Sequence, residues 1–208
     1  MGERNFYQPL TREDQITVVI YRAGIFLSTL IVCLLAVLAA KAVFGSGLQD
    51  YPFFVSRFGI SAILLLLYFS VGLSVFFIHL YVGKFHRILK KIYYAAVFCL
   101  AILFVIGDGN PAVPIMASQP LATLLLLPIS LCLGFVTAKE AFCFQLIEGY
   151  ILAVLMPACI FFYSVGALPQ RGAAAGLLLI TSMLVLFMFR KVFMPLHYDI
   201  GDKSAYQP

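Results

Sequence analysis

The chain has 208 residues, of which 63% are hydrophobic and only 11% are charged. Soluble domains carry about 25% charged residues, so this composition excludes a soluble protein and predicts one integral membrane domain over residues 1–208. The formal net charge of +5 does not indicate a nucleic-acid partner, because basic residues of membrane proteins gather on the cytoplasmic side.

The N-terminal part of the chain contains a polar segment and the first two predicted spans. Residues 1–15 are polar and include acids, which is untypical of a cleaved signal peptide. Thr11 and Asp14 have the spacing of a capping box, so a helix is expected to begin there. The first span is predicted over Arg22–Phe44, and the second over Phe58–Val82 with His79 near its far end.

The segment after the second span is the most basic part of the chain, with Lys84, His86, Arg87, Lys90 and Lys91. Such a segment can bind anionic lipid or an acidic partner. It can equally act as a topological anchor, and that role alone suffices to explain the charges. Partner or lipid binding at these five residues is the functional hypothesis.

Four further apolar segments complete an expected total of six spans. Pro128 is expected to kink one of them, because proline removes a backbone hydrogen bond within a helix. The predicted bounds are Ile92–Ile106, Leu121–Val136, Ala141–Val165 and Ala173–Phe189, followed by a polar tail over residues 192–208. The first of these four is short unless Leu89–Lys91 already belong to the helix.

The distribution of basic residues predicts the orientation of this all-α bundle. With six spans, both termini lie on one side of the membrane, and 11 of the 14 Lys and Arg residues then fall on that side. The positive-inside rule therefore places both termini in the cytoplasm, or in the stroma of a chloroplast.

The segment Thr137–Tyr150 carries most of the charge found near the membrane interior. On one continuous helix, Glu140, Gln145 and Glu148 would share a side, with Glu148 about 12 Å further along the axis than Glu140. If Lys139 and Glu140 mark the water boundary, Glu148 lies inside the hydrocarbon layer. A carboxylate there is costly and suggests function.

An intramembrane polar site is therefore predicted at Glu148, Glu140, Gln145, Lys139 and His79. Glu148 could carry a proton or bind a cation, or it could be one half of a structural ion pair. Its expected partners, on the same side of the membrane, are Arg22, His79 and Lys84.

The sequence contains no paired zinc ligands, phosphate-binding loop or nucleophile elbow, and it therefore does not predict an enzyme. The five cysteines all lie in apolar runs and are expected to be packing residues rather than disulfides or metal ligands. No cofactor is indicated by the residues themselves; chlorophyll, carotenoid and bound lipid are the candidates for a protein of this kind.

Two segments resemble a known family. His79–Lys91 and Gly134–Tyr150 are similar to small integral membrane proteins of unknown function that are common in cyanobacteria and have relatives in chloroplasts. The resemblance implies a multi-span helical protein of the thylakoid or plasma membrane, with a role near the photosynthetic membrane such as photosystem II assembly. It brings no catalytic residues.

Two functions are compatible with these observations. The first is an accessory or assembly protein that binds membrane lipid and a larger membrane complex, with photosystem II subunits as candidate partners. The second is a small proton- or ion-coupled transporter that uses Glu148. A wet cavity reaching Glu148 would favour the transporter, whereas a dry bundle would favour the accessory protein.

Overall fold

The computed structural model describes residues 11–45, 57–80, 83–116 and 120–199. These residues form helices and connecting segments, without a β-strand. The helices are α1 (Arg12–Phe44), α2 (Arg57–Phe77), α3 (Gly83–Ile106), α4 (Ala112–Met116), α5 (Pro120–Leu124), α6 (Leu127–Phe144), α7 (Ile147–Ser164) and α8 (Gln170–Val192), and a 3-10 helix follows over Leu196–Asp199. Most of the predicted polar N-terminal segment, the loop before α2 and the end of the tail lie outside the described residues.

The prediction of a six-span helical bundle is confirmed. Six helical segments of the described chain are long and apolar enough to cross a membrane, namely α1, α2, α3, α7, α8 and the segment Ala122–Phe144 that contains α6. The start of α1 is also confirmed, since Thr11 Oγ1 accepts from the Asp14 backbone N–H and an Asp14 carboxylate oxygen accepts from the Thr11 backbone N–H.

The spans form a ring with one helix outside it. Helix α1 packs against α2 and α8, α7 packs between α6 and α8, and α2 meets α6 to close the ring. Helix α3 lies outside and packs against α6 and α2. At Gly24, a Cβ atom would come within 2.7 Å of the Ser70 carbonyl oxygen, so glycine is required for the close approach of α1 and α2.

The two ends of the bundle differ in charge. The start of α1, the start of α3 and the end of α8 lie at one end, which we call the basic end because it carries Arg12, Arg22, Lys84, Arg190 and Lys191 among others. The other end, which we call the opposite end, includes Lys41 in the last turn of α1 and Arg171 in the first turn of α8.

The structure gives the outcome of two predictions about the spans. The third span begins at Gly83 rather than Ile92, because the basic segment is itself the first turns of α3. The interruption expected at Pro128 is found as a break between two helices: within the span Ala122–Phe144, α5 ends at Leu124 and α6 begins at Leu127. Pro128 lies in the first turn of α6, where the missing N–H has no intrahelical partner to lose.

Candidate functional site at the basic end

The segment predicted as one continuous helix, Ala141–Val165, is broken. Helix α6 continues to Phe144, Gln145 adopts the left-handed conformation with φ 54° and ψ 42°, and α7 begins at Ile147. The predicted loop before Ala141 is therefore wrong, and so is the placement of Glu140 and Glu148 on one helix. Glu140 lies near the end of α6 and Glu148 in the first turn of α7.

Gly149 allows this tight connection between antiparallel helices. A Cβ atom at this position would lie 2.6 Å from the Thr137 carbonyl oxygen and 2.8 Å from the Ala141 Cβ. The start of α7 can therefore pack directly on the end of α6. A left-handed non-glycine residue costs about 1–2 kcal/mol, and the packing and ion pairs on both sides of Gln145 must offset that cost.

Glu140 is fully buried and holds three partners. Its Oε1 accepts from the Tyr21 hydroxyl at 2.6 Å and from Lys139 Nζ at 2.7 Å. Its Oε2 forms an ion pair with Lys191, whose side chain is also fully buried. A carboxylate removed from water is costly unless it is paired, and here both oxygens face a cation.

Lys191 extends the network to the end of the described chain. Its Nζ also pairs with Oδ1 of Asp199, and Oδ2 of Asp199 accepts from Arg22 Nε at 2.6 Å. Arg22 additionally donates to the carbonyl oxygens of Val192 at 2.9 Å and of Met194. These carbonyls lie at and just beyond the C-terminal end of α8, where the helix dipole favours a cation.

We refer to Arg22, Lys139, Glu140, Lys191 and Asp199 as the charge cluster. It contains three cations and two carboxylates, all with buried side chains. Each of the four carboxylate oxygens contacts a cation. Because these acceptors are occupied, a transported cation would have to displace a lysine or the arginine from its carboxylate.

Glu148 lies outside the charge cluster and forms a separate pair. Both of its carboxylate oxygens accept from Arg190 Nη1, at 2.8 and 2.9 Å. Its side chain is 9% exposed, whereas that of Arg190 is 49% exposed. The expected partners Arg22, His79 and Lys84 are therefore wrong, because the helix break places Glu148 beside the end of α8.

His79 lies between α2 and α3, close to the charge cluster. Its Nε2 is 3.3 Å from the Thr17 hydroxyl, and its buried Nδ1 has no hydrogen-bond partner among the described residues. Burial, and next the nearby Lys139, lower the pKa of His79 below its ordinary value of 6.5. Gln145, by contrast, is exposed in the turn between α6 and α7 and does not join the cluster.

The predicted basic segment forms a second feature of this end. Lys84, Arg87 and Lys91 are exposed and form no salt bridge to a carboxylate of the described chain. Lys90 Nζ lies 5.6 Å from the centre of the Phe76 ring, and His86 Nε2 lies 3.2 Å from the Val75 carbonyl oxygen. We call Lys84, Arg87, Lys90 and Lys91 the basic face of α3.

Sequence reasoning missed four members of these networks: Tyr21, Arg190, Lys191 and Asp199. The positive-inside rule uses Arg190 and Lys191 only as topological charges, and Asp199 falls in the predicted polar tail over residues 192–208. The sequence does contain a signal for these residues. Arg190, Lys191 and Asp199 lie within ten residues of one another, directly after the predicted span Ala173–Phe189, which carries no charge. No group of three His, Cys, Asp or Glu side chains that could hold a metal ion occurs among the described residues.

The chain matches a known family of membrane proteins. The family described as "Uncharacterized integral membrane protein (DUF2301)" matches residues 73–207, which include both segments noted for their resemblance to a known family. No curated protein matches the chain. No solved structure matches it either.

Proposed function

The chain belongs to the DUF2301 family of uncharacterized integral membrane proteins, and from this premise we propose that it is an accessory protein that binds a larger membrane complex at its basic end. The basic face of α3 is the observation that carries the proposal. It presents exposed or partly exposed cations without a carboxylate partner in the described chain, next to a bundle whose buried charges are paired.

The position of α3 supports this role. It lies outside the ring of the other spans, and its span is the least buried of the six, at 22%. Below the basic face, its lipid-level surface presents Tyr94, Phe98 and Val105, which are 59%, 67% and 81% exposed. Exposed aromatic side chains are suited to packing against a partner helix or a pigment ring.

The charge cluster favours an accessory protein over a transporter. Each of its carboxylate oxygens already contacts a cation, and Glu148 is held by Arg190. The large cavity described below is lined by neither Glu148 nor Glu140 and is almost wholly apolar. This cavity therefore does not provide a water-filled path to Glu148.

The partner we propose is a complex of the photosynthetic membrane, with photosystem II subunits under assembly as the first candidate. The support is the resemblance of His79–Lys91 and Gly134–Tyr150 to proteins of cyanobacteria and chloroplasts. On this proposal the protein resides in the thylakoid or the plasma membrane, and the basic face of α3 contacts an acidic surface of the complex.

The test is co-purification after gentle solubilisation. We expect the native protein to migrate in a complex much larger than its own 23.0 kDa. Reversing three charges, with Arg87→Glu, Lys90→Glu and Lys91→Glu, should release it, since opposed charges at an interface lose their attraction and become repulsive. Release should also occur at high salt, which screens exposed charges.

The control is Arg12→Glu, a charge reversal of another exposed residue at the same end. It should leave the association intact, and membrane insertion must be verified for every variant because basic residues also set topology. Migration of the native protein as a free monomer would contradict the proposal. Proton or solute flux in proteoliposomes that Glu148→Gln abolishes would replace it with the transporter.

A further inference from the structure

A large cavity lies between the spans in the half of the bundle near the opposite end. Its volume is about 390 Å³, within the range of small-molecule sites. It is bounded by α1, α2, α6, α7 and α8, and residues of α4 and α5 lie at its outer side. Along α8 it extends from Gln170 to Ile180, which corresponds to about 15 Å at the rise of an α-helix.

The cavity exists because its walls carry small side chains where the helices separate. Ala39 and Ala42 contribute from α1, and Ala173 and Ala174 from α8. Leucine, isoleucine, valine and methionine side chains form most of the remainder. The Ser130 hydroxyl on the wall donates to the Leu127 carbonyl oxygen within its own helix, at 2.7 Å.

The chemistry of the wall decides what can occupy this space. A stable buried water needs two to four polar partners, and an apolar cavity of this kind does not supply them. An empty cavity would deprive its lining of dispersion contacts. The cavity lies at the depth of the hydrocarbon layer, where the surrounding solvent consists of the acyl chains of membrane lipids. These chains are therefore available to fill it.

The dimensions fit a single chain in an extended form. The length of about 15 Å is half of the roughly 30 Å hydrocarbon thickness of a bilayer, which is the depth of one leaflet. Polar groups are found at the outer end, where Gln170 and Tyr163 lie at the two helix ends that border the cavity. A chain entering from that leaflet would leave its headgroup at the polar end.

We propose that this cavity is a binding site for one acyl chain of a membrane lipid, which enters from the leaflet at the opposite end and fills the space between α1, α7 and α8. The site is distinct from the basic face of α3 and from the charge cluster, and the proposal holds whether or not the protein binds a larger complex.

The first test measures retained lipid. The full-length protein, purified in mild detergent and washed free of loosely bound lipid, should retain a lipid detectable by native mass spectrometry. Ala39→Phe and Ala174→Phe would fill the cavity with aromatic side chains. The fraction of protein that retains lipid should then fall by about tenfold, which corresponds to the binding free energy of about two buried methylene groups. Leu179→Phe is the matched control, since Leu179 is on α8 but 54% exposed and absent from the cavity wall.

The second test uses Cys159, which lines the cavity, and needs no filled variant. The protein is delipidated and carries Cys159 as its only cysteine. Adding a long-chain lysophospholipid should slow the alkylation of Cys159 by an apolar maleimide. It should also raise the midpoint of thermal unfolding. A short-chain analogue should do neither.

Three results would overturn the proposal. They are retention of lipid by the filled variants at the level of wild type, alkylation of Cys159 that does not depend on the added chain, and recovery of an isoprenoid such as a quinone or carotenoid as the bound molecule. The last result would keep the cavity as a ligand site but reject an acyl chain as its occupant.

Discussion

Arg22 and Asp199 lie 177 positions apart in the chain, yet Arg22 Nε donates to Asp199 Oδ2 at 2.6 Å and both side chains are buried. This contact joins the first span to the 3-10 helix that follows the last one. Lys191 pairs with the other oxygen of the same carboxylate. Asp199 therefore closes the basic end of the bundle, and the segment after α8 is part of the packed structure.

Replacing Asp199 should be strongly destabilising. In Asp199→Ala, Arg22 and Lys191 lose a buried counter-charge, and breaking a buried pair by removing one partner costs about 3–5 kcal/mol. The midpoint of thermal unfolding in detergent, followed by circular dichroism, should fall accordingly. Glu13→Ala, which removes an exposed carboxylate in the first turn of α1, should have little effect. A similar midpoint for both variants would show that Asp199 does not stabilise the fold.

Glu140 and Glu148 should differ in their response to the same substitution. Glu140→Gln removes the carboxylate that pairs with buried Lys139 and one of the two that pair with buried Lys191, so we expect a loss of about 3–5 kcal/mol in the free energy of unfolding. Glu148→Gln should cost at most about 1 kcal/mol, because Arg190 is half exposed and water can solvate it. Chemical denaturation of both variants measures the difference, and equal losses would contradict this account of the two acids.

The pKa of His79 predicts a loss of stability in mild acid. Because the folded protein holds this pKa below 6.5, the unfolded chain binds more protons in that range, and stability falls as the pH drops from about 6.5. The groups that act on His79 are Lys139, which lowers the pKa, and Asp199, Asp14 and Glu140, which raise it.

The measurement is the unfolding midpoint of wild type and of His79→Gln at pH values above and below 6.5. Glutamine keeps a polar contact to Thr17 but does not titrate, so the variant should lose less stability on acidification. The same decrease in both proteins would show that other groups cause the pH dependence.

The topology can be tested by labelling single cysteines in a chain from which the five native cysteines have been removed. Lys84→Cys, at the start of α3, and Val113→Cys, after its end, should react from opposite sides of the membrane. Reaction of both cysteines from one side would reject α3 as a span.

The start of α1 and the existence of six spans could be predicted because both depend on local sequence. The capping box of Thr11 and Asp14 needs only a spacing of three residues. A span needs a long apolar segment, since a helix in lipid satisfies its own backbone hydrogen bonds. The break at Gln145 could not be read in this way, because it carries neither glycine nor proline and depends on how closely Gly149 approaches Thr137.

Composition and local pattern are enough to identify a polytopic helical membrane protein with an excess of basic residues at one end, because each segment is sorted between lipid and water by its own hydropathy and charge. The partners of the buried charges follow from the packing of the helices and could not be read from any one segment. Glu140 with Lys191, and Arg22 with Asp199, pair residues from distant parts of the chain. Those pairs depend on the rotation and contact of whole helices, and so does the cavity between α1 and α8, which no single segment encodes.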